Sequence, residues 1–449
     1  MKKQNLRYIK WIGKVTVLLF IFNFQFSIFN GYAQRVSLDE CLEKALESNF
    51  SIKIIRNEAR MDKNNLNYST FLPTLEATAK QTQTRNDART ENSAGEVNKM
   101  SDVKTDNYSA GVALNWRIFD GLEMFTTHEK QKELLAMGEL AVRQAVENLI
   151  LNVSAAYYNV LVQHHKLMAN RHSLALSNER YDEAKVRHQI GNRSGLEAQQ
   201  AKIDLNTDSS TYVRQKEALK SAYITLNKLM NTDLQMVNYV QDTILLGPQL
   251  TLSTLEQKTL EGNTALLMAK KEQKISALDL KNARAVLFPT LDFNSGYNYN
   301  KTNTPSSSTT LNRSNGFYWG FSLNVPIFSR LQNRTKIKNA KLELENTELS
   351  YQEAEKETLG DLALMYNSYE NNLLMVNFEI ESASVAEANL DAALEKYKIG
   401  SLSGIEFREF QRSYIDAVDR KLSAIYQAKV SELSLLLLSG DIRGSFAVE

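Results

Sequence analysis

Two kinds of hydrophobic periodicity alternate along this chain of 449 residues. Four short segments alternate apolar and polar residues with a period of two, which is typical of strands with one apolar face. Between them, apolar residues recur at helical spacing over long stretches without proline, which is absent from 74–247 and from 327–449. Because proline interrupts helix interiors, these stretches are free to form unusually long helices.

The whole pattern occurs twice. GVALNWRIF at 111–119 aligns with GFSLNVPIF at 320–328, and QIGNRSGLEA at 189–198 with KIGSLSGIEF at 398–407, both at an offset of 209 residues. FLPTL at 71–75 resembles LFPTL at 287–291, at an offset of 216 residues, and ALESNFSI at 45–52 resembles TLEGNTAL at 259–266. The chain is therefore predicted to be a duplication. The first repeat covers 34–235, a linker 236–250, the second repeat 251–440 and a tail 441–449.

Each repeat is predicted to contain a helix, two strands and a long helical hairpin. The first repeat has helix 38–68, strands 74–84 and 108–119, and helices 122–189 and 196–230; the second has helix 255–286, strands 290–300 and 317–328, and helices 331–398 and 405–438. The longest helices would extend about 100 Å, too far to be buried in a globular domain. The returning helix is therefore expected to pack beside the long one.

Both hairpins are predicted to end on an Ile-Gly-x-x-Ser-Gly turn. Gly191 and Gly400 permit a left-handed helix cap, and Ser194 and Ser403 can cap the returning helices. A purely structural role as good turns is the alternative to a contact with a partner protein.

The strand pairs have the features of an outer-membrane β-barrel. The segments are about 10 residues long, which suits a bilayer-crossing strand, and they are joined by long polar loops. A strand from a soluble sandwich is the alternative. Aromatic and aliphatic residues predicted to contact lipid are Leu114, Trp116, Phe293, Tyr297, Trp319, Phe321 and Leu323.

Four strands cannot close a barrel, and lipid does not tolerate open sheet edges. The predicted fold is therefore mainly α with transmembrane β. Three copies would form a homotrimer, in which twelve strands close a barrel in outer-membrane lipid above a long periplasmic α-helical barrel.

The N-terminus has the pattern of a secretory signal peptide. Five basic residues precede an apolar run at 15–29, and Gly31-Tyr32-Ala33 fits a cleavage site, so 1–33 is predicted to be removed. An uncleaved anchor is the alternative, although the run is shorter than the ~20 residues of a spanning helix. Removal would take five positive charges and no negative ones, which changes the formal net charge from +1 to −4. A nucleic-acid partner is therefore not expected.

Features of an enzyme are absent from the sequence. Cys41 is the only cysteine, which excludes an internal disulfide and a multi-cysteine metal site. No catalytic constellation and no glycine-rich nucleotide loop occurs, so neither catalysis nor a cofactor is expected. His165 and His172 could share a helix face and bind a metal, but exposed polar residues are the preferred interpretation.

The motifs together resemble the TolC-like outer-membrane efflux proteins, trimeric exit ducts of Gram-negative bacteria. The resemblance rests on SLDECLEKALESN at 37–49, two Pro-Thr-Leu corners, the Leu-Asn-x-x-Ile-Phe strand ends, AAYYNVL at 155–161 and the two glycine turns. It implies an outer-membrane channel that passively conducts substrates from the periplasm, as part of a tripartite efflux pump or a type I secretion system. A periplasmic adaptor (membrane fusion) protein and an inner-membrane pump are the implied partners.

The resemblance also implies site residues at the hairpin tips. The implied adaptor contacts are Ile190, Gly191, Ser194, Gly195, Ile399, Gly400, Ser403 and Gly404. Acidic rings and a gate at the entrance are implied for Glu197, Glu406, Glu409, Tyr397 and Arg193, with a solvated helix face as the alternative. A periplasmic coiled-coil adaptor is the alternative function; the alternating aromatic strands and the repetition argue against it.

Overall fold

The structure is a computed structural model that describes residues 36–91, 93–190, 195–237, 243–305 and 310–446. The first repeat contains helices α1 (Leu38–Ser48) and α2 (Phe50–Asn65), strands β1 (Thr74–Glu91) and β2 (Val97–Phe119), and helices α3 (Glu123–Gln189) and α4 (Gly195–Met230). The second contains α5 (Leu252–Gly262), α6 (Thr264–Ala285), β3 (Thr290–Asn303), β4 (Leu311–Asn324), α7 (Gln332–Lys398) and α8 (Gly404–Leu438). The predicted signal peptide at 1–33 lies outside the described residues.

The single helix predicted at the start of each repeat is wrong, because two helices occur there. The chain is interrupted at Asn49 between α1 and α2, and at Asn263 between α5 and α6. Both asparagines have extended backbone, with ψ angles of 128° and 119°. The side-chain oxygen of Asn49 accepts the Ser51 N–H at 2.9 Å, and that of Asn263 accepts the Leu266 N–H at 3.0 Å. Each asparagine therefore caps the second helix of its pair.

The same two asparagines hold the end of the returning helix. The Asn49 amide donates to the Leu229 carbonyl at 3.0 Å, and the Asn263 amide donates to the Leu438 carbonyl at 2.8 Å. The two carbonyls are equivalent at the 209-residue offset. The interruption is therefore a joint that occurs once in each repeat and fixes the short helices to the long hairpin.

The four strands form one antiparallel sheet in the order β1-β2-β3-β4. Three of the predicted strand bounds are correct, at Thr74, Phe119 and Thr290, and the other five are wrong. β1 and β2 extend through sequence predicted as loop, since their backbone pairing continues as far as Glu91 opposite Val97. β4 ends at Asn324, before Pro326, whose missing N–H cannot contribute to a ladder.

The largest apolar core lies where α1 crosses the middle of α3 near the end of α4. Its fully buried side chains include Leu42, Ile150, Tyr157, Leu161 and Met230. The Tyr157 hydroxyl donates to the Val36 carbonyl at 3.2 Å, and the equivalent Tyr366 donates to the Leu250 carbonyl at 3.3 Å. The start of each repeat is thus bound to its long helix in the same way.

The long helices pack as two hairpins side by side. α3 packs on α4, α7 packs on α8, α8 also lies against α3, and α6 lies against both α3 and α7. Since the strands precede α3 and α7, both hairpins carry their turns at the end distant from the sheet. No helix in the described part of the chain contains a segment long and apolar enough to cross a membrane.

Candidate functional site at the helical tips and on the sheet

The tip of the second hairpin is a compact turn closed by two capping motifs. Gly400 has a φ of +78°, the left-handed region that favours glycine. Its N–H donates to the Tyr397 carbonyl at 3.0 Å, and the Ser401 N–H donates to the Lys396 carbonyl at 2.9 Å. These bonds form a Schellman motif that ends α7.

A capping box begins α8 directly after this turn. The Ser403 hydroxyl accepts the Glu406 N–H at 3.2 Å, and the Glu406 carboxylate accepts the Ser403 N–H at 2.9 Å. The prediction that Ser403 caps the returning helix is therefore confirmed. These hydrogen bonds hold the pKa of Glu406 below its ordinary value. Glu409 is exposed three residues further along, so both carboxylates belong to the first turns of α8.

The tip of the first hairpin is only partly described. Ile190 at the end of α3 is 70% exposed, as Ile399 is at 78% in the second tip. Gly195 begins α4 close to the imidazole of His188, and Glu197 follows in the first turn. Three of the predicted site residues, Gly191, Arg193 and Ser194, lie outside the described residues.

Tyr397 is buried between the two hairpins. Its ring stacks on that of Phe407 with 5.3 Å between centroids, and the guanidinium of Arg187 lies 5.4 Å from its centre. Burial raises the pKa of the Tyr397 hydroxyl, and the nearby carboxylate of Glu183 adds to the rise. The cation beside Tyr397 thus comes from α3, which the sequence did not indicate.

A buried ion pair joins the two hairpins one turn deeper. Arg408 of α8 donates two hydrogen bonds to the carboxylate of Asp208 on α4, at 2.6 and 2.7 Å. The Ser177 hydroxyl donates to the same carboxylate at 2.5 Å. Although burial lowers the pKa of Arg408, its hydrogen bonds and charge interaction with Asp208 leave it above the ordinary value. Gln411, which is fully buried, donates to the Ser173 carbonyl at 2.7 Å and completes the link between α8 and α3.

Arg180 forms a second link at the start of α8. Its side chain is 4% exposed, pairs with Asp204 of α4 and donates to the Gly404 carbonyl at 3.0 Å. Gly404, predicted as an adaptor contact, is therefore also bound to the first hairpin. We name this set of linking side chains the tip network; it comprises Arg180, Asp204, Asp208, Arg408 and Gln411. Sequence reasoning missed it; the available signals were Asp204 with Asp208, and Arg408 with Gln411, each pair sharing a helix face.

The predicted lipid-facing residues all lie on one face of the sheet. Residues directly opposite in an antiparallel pair share a face. Trp116 lies opposite Phe293, and Phe293 lies opposite Phe321, with ring centroids 5.0 Å apart. Leu114 is paired with Ser295, which is paired in turn with Trp319, so Leu114 and Trp319 also lie on that face. Trp319, Phe321 and Leu323 are 60–67% exposed, which leaves a broad apolar surface uncovered.

The histidines do not assemble into a metal centre. His172 lies against the Tyr414 ring, with 6.3 Å between centroids. Among the described residues, no group of three or more His, Cys, Asp and Glu side chains could hold a metal ion.

Comparison with known protein families identifies the family that shares this architecture. The chain matches the outer membrane efflux protein family over residues 41–232 and 255–441, two segments that coincide with the two repeats. The chain belongs to the outer membrane efflux protein family. The resemblance stated from the motifs is thereby confirmed, as are an outer-membrane location, a role as an efflux channel and the absence of enzyme activity among family members. The alternative of a periplasmic adaptor is not supported.

Individual efflux proteins show the same relationship at low identity. The chain is 21% identical to the outer membrane protein TolC of Vibrio cholerae over 345 residues, which cover 76% of this chain and 78% of that protein. It is 23% identical to the cation efflux system protein CusC of Escherichia coli K12, over 76% of this chain and 75% of that protein. The crystal structure of the Campylobacter jejuni CmeC outer membrane channel superposes with a TM-score of 0.77 at 18% identity, over 90% of this chain and 86% of that one. These matches span most of both chains, so the mainly helical fold with a small antiparallel sheet is shared as a whole.

Proposed function

We propose that three copies of this efflux protein form one continuous duct from the periplasm to the outside. The observation that carries the proposal is the four-stranded sheet with two open edges, β1 and β4, and one exposed apolar face. An open edge in lipid leaves backbone groups without hydrogen-bond partners, at a cost of several kcal/mol each. Closure with the sheets of two further copies removes every edge and gives twelve strands around a pore.

The helical hairpins extend this pore into the periplasm. α3 and α7 are 67 residues each, about 100 Å at 1.5 Å per residue. Conduction through such a duct is passive, so a separate inner-membrane pump supplies the energy. The exposed isoleucines Ile190 and Ile399, beside the glycine turns, form apolar contact points for a periplasmic adaptor protein at the tips.

The tip network controls the width of the entrance. Arg180 and Arg408 hold the start of α8 against the first hairpin, so the second hairpin can move outward only after these bonds separate. Glu406 and Glu409, repeated in three copies, place rings of negative charge at the same level. Such rings attract cations and repel anions at a constriction.

Reconstitution into planar bilayers tests this function. We expect discrete ion-conducting channels with cation selectivity, and a trimer in detergent. Glu406→Gln with Glu409→Gln should reduce the cation selectivity several-fold, because the charged rings are removed. Glu357→Gln is the matched control: it lies on α7 about 60 Å from the tip and should leave selectivity unchanged. A protein that is monomeric in detergent and forms no channels would contradict the proposal.

A further inference from the structure

The strand pairs of the two repeats, β1–β2 and β3–β4, have equivalent registers. The β1–β2 ladder begins with Thr74 opposite Asn115, and the β3–β4 ladder begins with Thr290 opposite Asn324. These residues correspond through the sequence repeat, at an offset of 216 for the first strand of each pair and 209 for the second. The duplication therefore preserves strand pairing residue by residue.

Within the chain, β2 and β3 form the junction between the repeats. Leu114 lies opposite Ser295, and Val112 lies opposite Tyr297. β4 is the repeat equivalent of β2, and β1 is the equivalent of β3. In the described part of the chain, however, β4 and β1 are the outer strands of the sheet, each paired on one side only.

We propose that β4 pairs with β1 of a second copy in the register of the β2–β3 junction. Under the same two offsets, the pair of Leu114 and Ser295 becomes Leu323 opposite Ala79 of the partner subunit. The pair of Val112 and Tyr297 becomes Phe321 opposite the partner's Gln81. The proposal rests on the trimeric duct and names the surface that joins its subunits.

The strand ends provide an independent check. Leu311, the first residue of β4, falls opposite the partner's Glu91, and Glu91 is the last residue of β1. Asn324, the last residue of β4, falls opposite the partner's Thr78. Every residue of β4 thus has a partner on β1. The end of β1 beyond Gln83, which projects past the β2–β3 ladder, gains a second neighbouring strand.

The register also keeps the apolar face continuous. Phe321 and Leu323 lie on the same face as Leu75 and Ala79, which join it through their pairing with β2. A shift of one residue would bring Phe321 to the face that carries Lys80, because side chains alternate along a strand. A shift of two residues in either direction preserves the faces, so the experiment must distinguish the proposed register from these two alternative registers.

Disulfide cross-linking makes this distinction. In a Cys41→Ala background, Ser322→Cys is combined with Lys80→Cys, and in two control variants with Thr78→Cys or Thr82→Cys. Opposite residues have Cα atoms about 4.5–5.5 Å apart and diagonal ones about 7–8 Å, whereas a disulfide requires about 4.4–6.8 Å. Lys80 and Ser322 of one chain are separated by three strand spacings, roughly 14 Å, so their disulfide must join two chains.

We expect oxidation of the Lys80→Cys variant to give covalent dimers and trimers on denaturing gels, on the order of tenfold more than either control, since only this pair lies within disulfide distance. Preferential cross-linking through Thr78→Cys or Thr82→Cys would contradict the proposed register but not the trimeric duct. So would the absence of cross-links in all three variants when light scattering shows a trimer in detergent. A monomer in detergent would overturn the duct and the register together.

Discussion

The two longest helices occupy equivalent places in the repeats but have different surroundings. α3 and α7 are both 67 residues long, yet α3 has nineteen buried side chains and α7 has eight. α3 packs against helices of both repeats, namely α1, α2 and α4 of the first repeat and α6 and α8 of the second. In the described part of the chain, α7 packs against α5, α6 and α8, the counterparts of α1, α2 and α4 around α3. No further helices there cover α7 in the way that α6 and α8 cover α3. The long helix is therefore largely buried in the first repeat and largely exposed in the second.

The uncovered side of α7 carries a row of apolar side chains. Its exposed residues include Leu364, Leu374, Met375, Phe378 and Val385, which are 48–70% accessible. α2, at the opposite edge of the chain, exposes Phe50, Ile54 and Met61 at 57–65%. In the proposed trimer, α2 and α4 of the next copy are the missing neighbours of α7. On this proposal, one duplicated chain supplies one third of a closed ring of helices.

Removal of apolar contact on α7 has the largest expected effect. Phe378→Asp should abolish the trimer, because a charge replaces an aromatic side chain whose burial is worth about 1.5–3 kcal/mol in each subunit, and that charge would be buried without a partner. Helical circular dichroism should remain, since Phe378 is 63% exposed within one chain. The measurement is molecular mass in detergent by light scattering.

Phe378→Leu is the matched control and should assemble normally, because it keeps an apolar side chain. A Phe378→Asp protein that forms trimers as stable as those of the parent would mean that this side of α7 faces solvent. The difference between α3 and α7 would then be unrelated to assembly.

The long elements could be predicted from the sequence, since periodicity and proline placement act locally. The tip network could not, because its partners are far apart in the chain. Arg408 and Asp208 are 200 residues apart, Arg180 and Gly404 224, and Gln411 and Ser173 238. Which charged side chains turn inward depends on how α8 lies on α3, and no local pattern specifies that. The interruption at Asn49 was visible as the repeated Glu-x-Asn, but helical periodicity on both sides concealed the cap.

The contact between α8 and the first hairpin lies within one chain, so its buried ion pairs should stabilise each subunit. Arg408→Met leaves the Asp208 carboxylate, 11% exposed, without its charged partner. Breaking one side of a buried pair costs about 3–5 kcal/mol. We expect the free energy of unfolding to fall by this amount, measured by denaturant titration of the helical circular dichroism.

Arg420→Met provides the matched control on the same helix. Arg420 pairs with Glu379 at 3.0 Å, but its side chain is 54% exposed, so the expected cost is about 0–1 kcal/mol. Equal effects of the two substitutions would show that the tip network is as solvated as the surface pair, and the proposed restraint on α8 would fail.

The asparagine joints should have the same effect in both repeats, despite the different surroundings of their long helices. Asn263→Ala removes a helix cap worth about 1 kcal/mol and a hydrogen bond worth about 0.5–1.5 kcal/mol, so unfolding should become easier by roughly 2 kcal/mol. Asn49→Ala removes the equivalent contacts to Ser51 and Leu229 and should cost the same within about 0.5 kcal/mol. A loss confined to Asn263, which is the buried member of the pair at 7% exposed, would mean that burial rather than the duplicated joint decides the stability. Equal losses would mean that the repeats share their internal joints and differ only in which neighbours cover them.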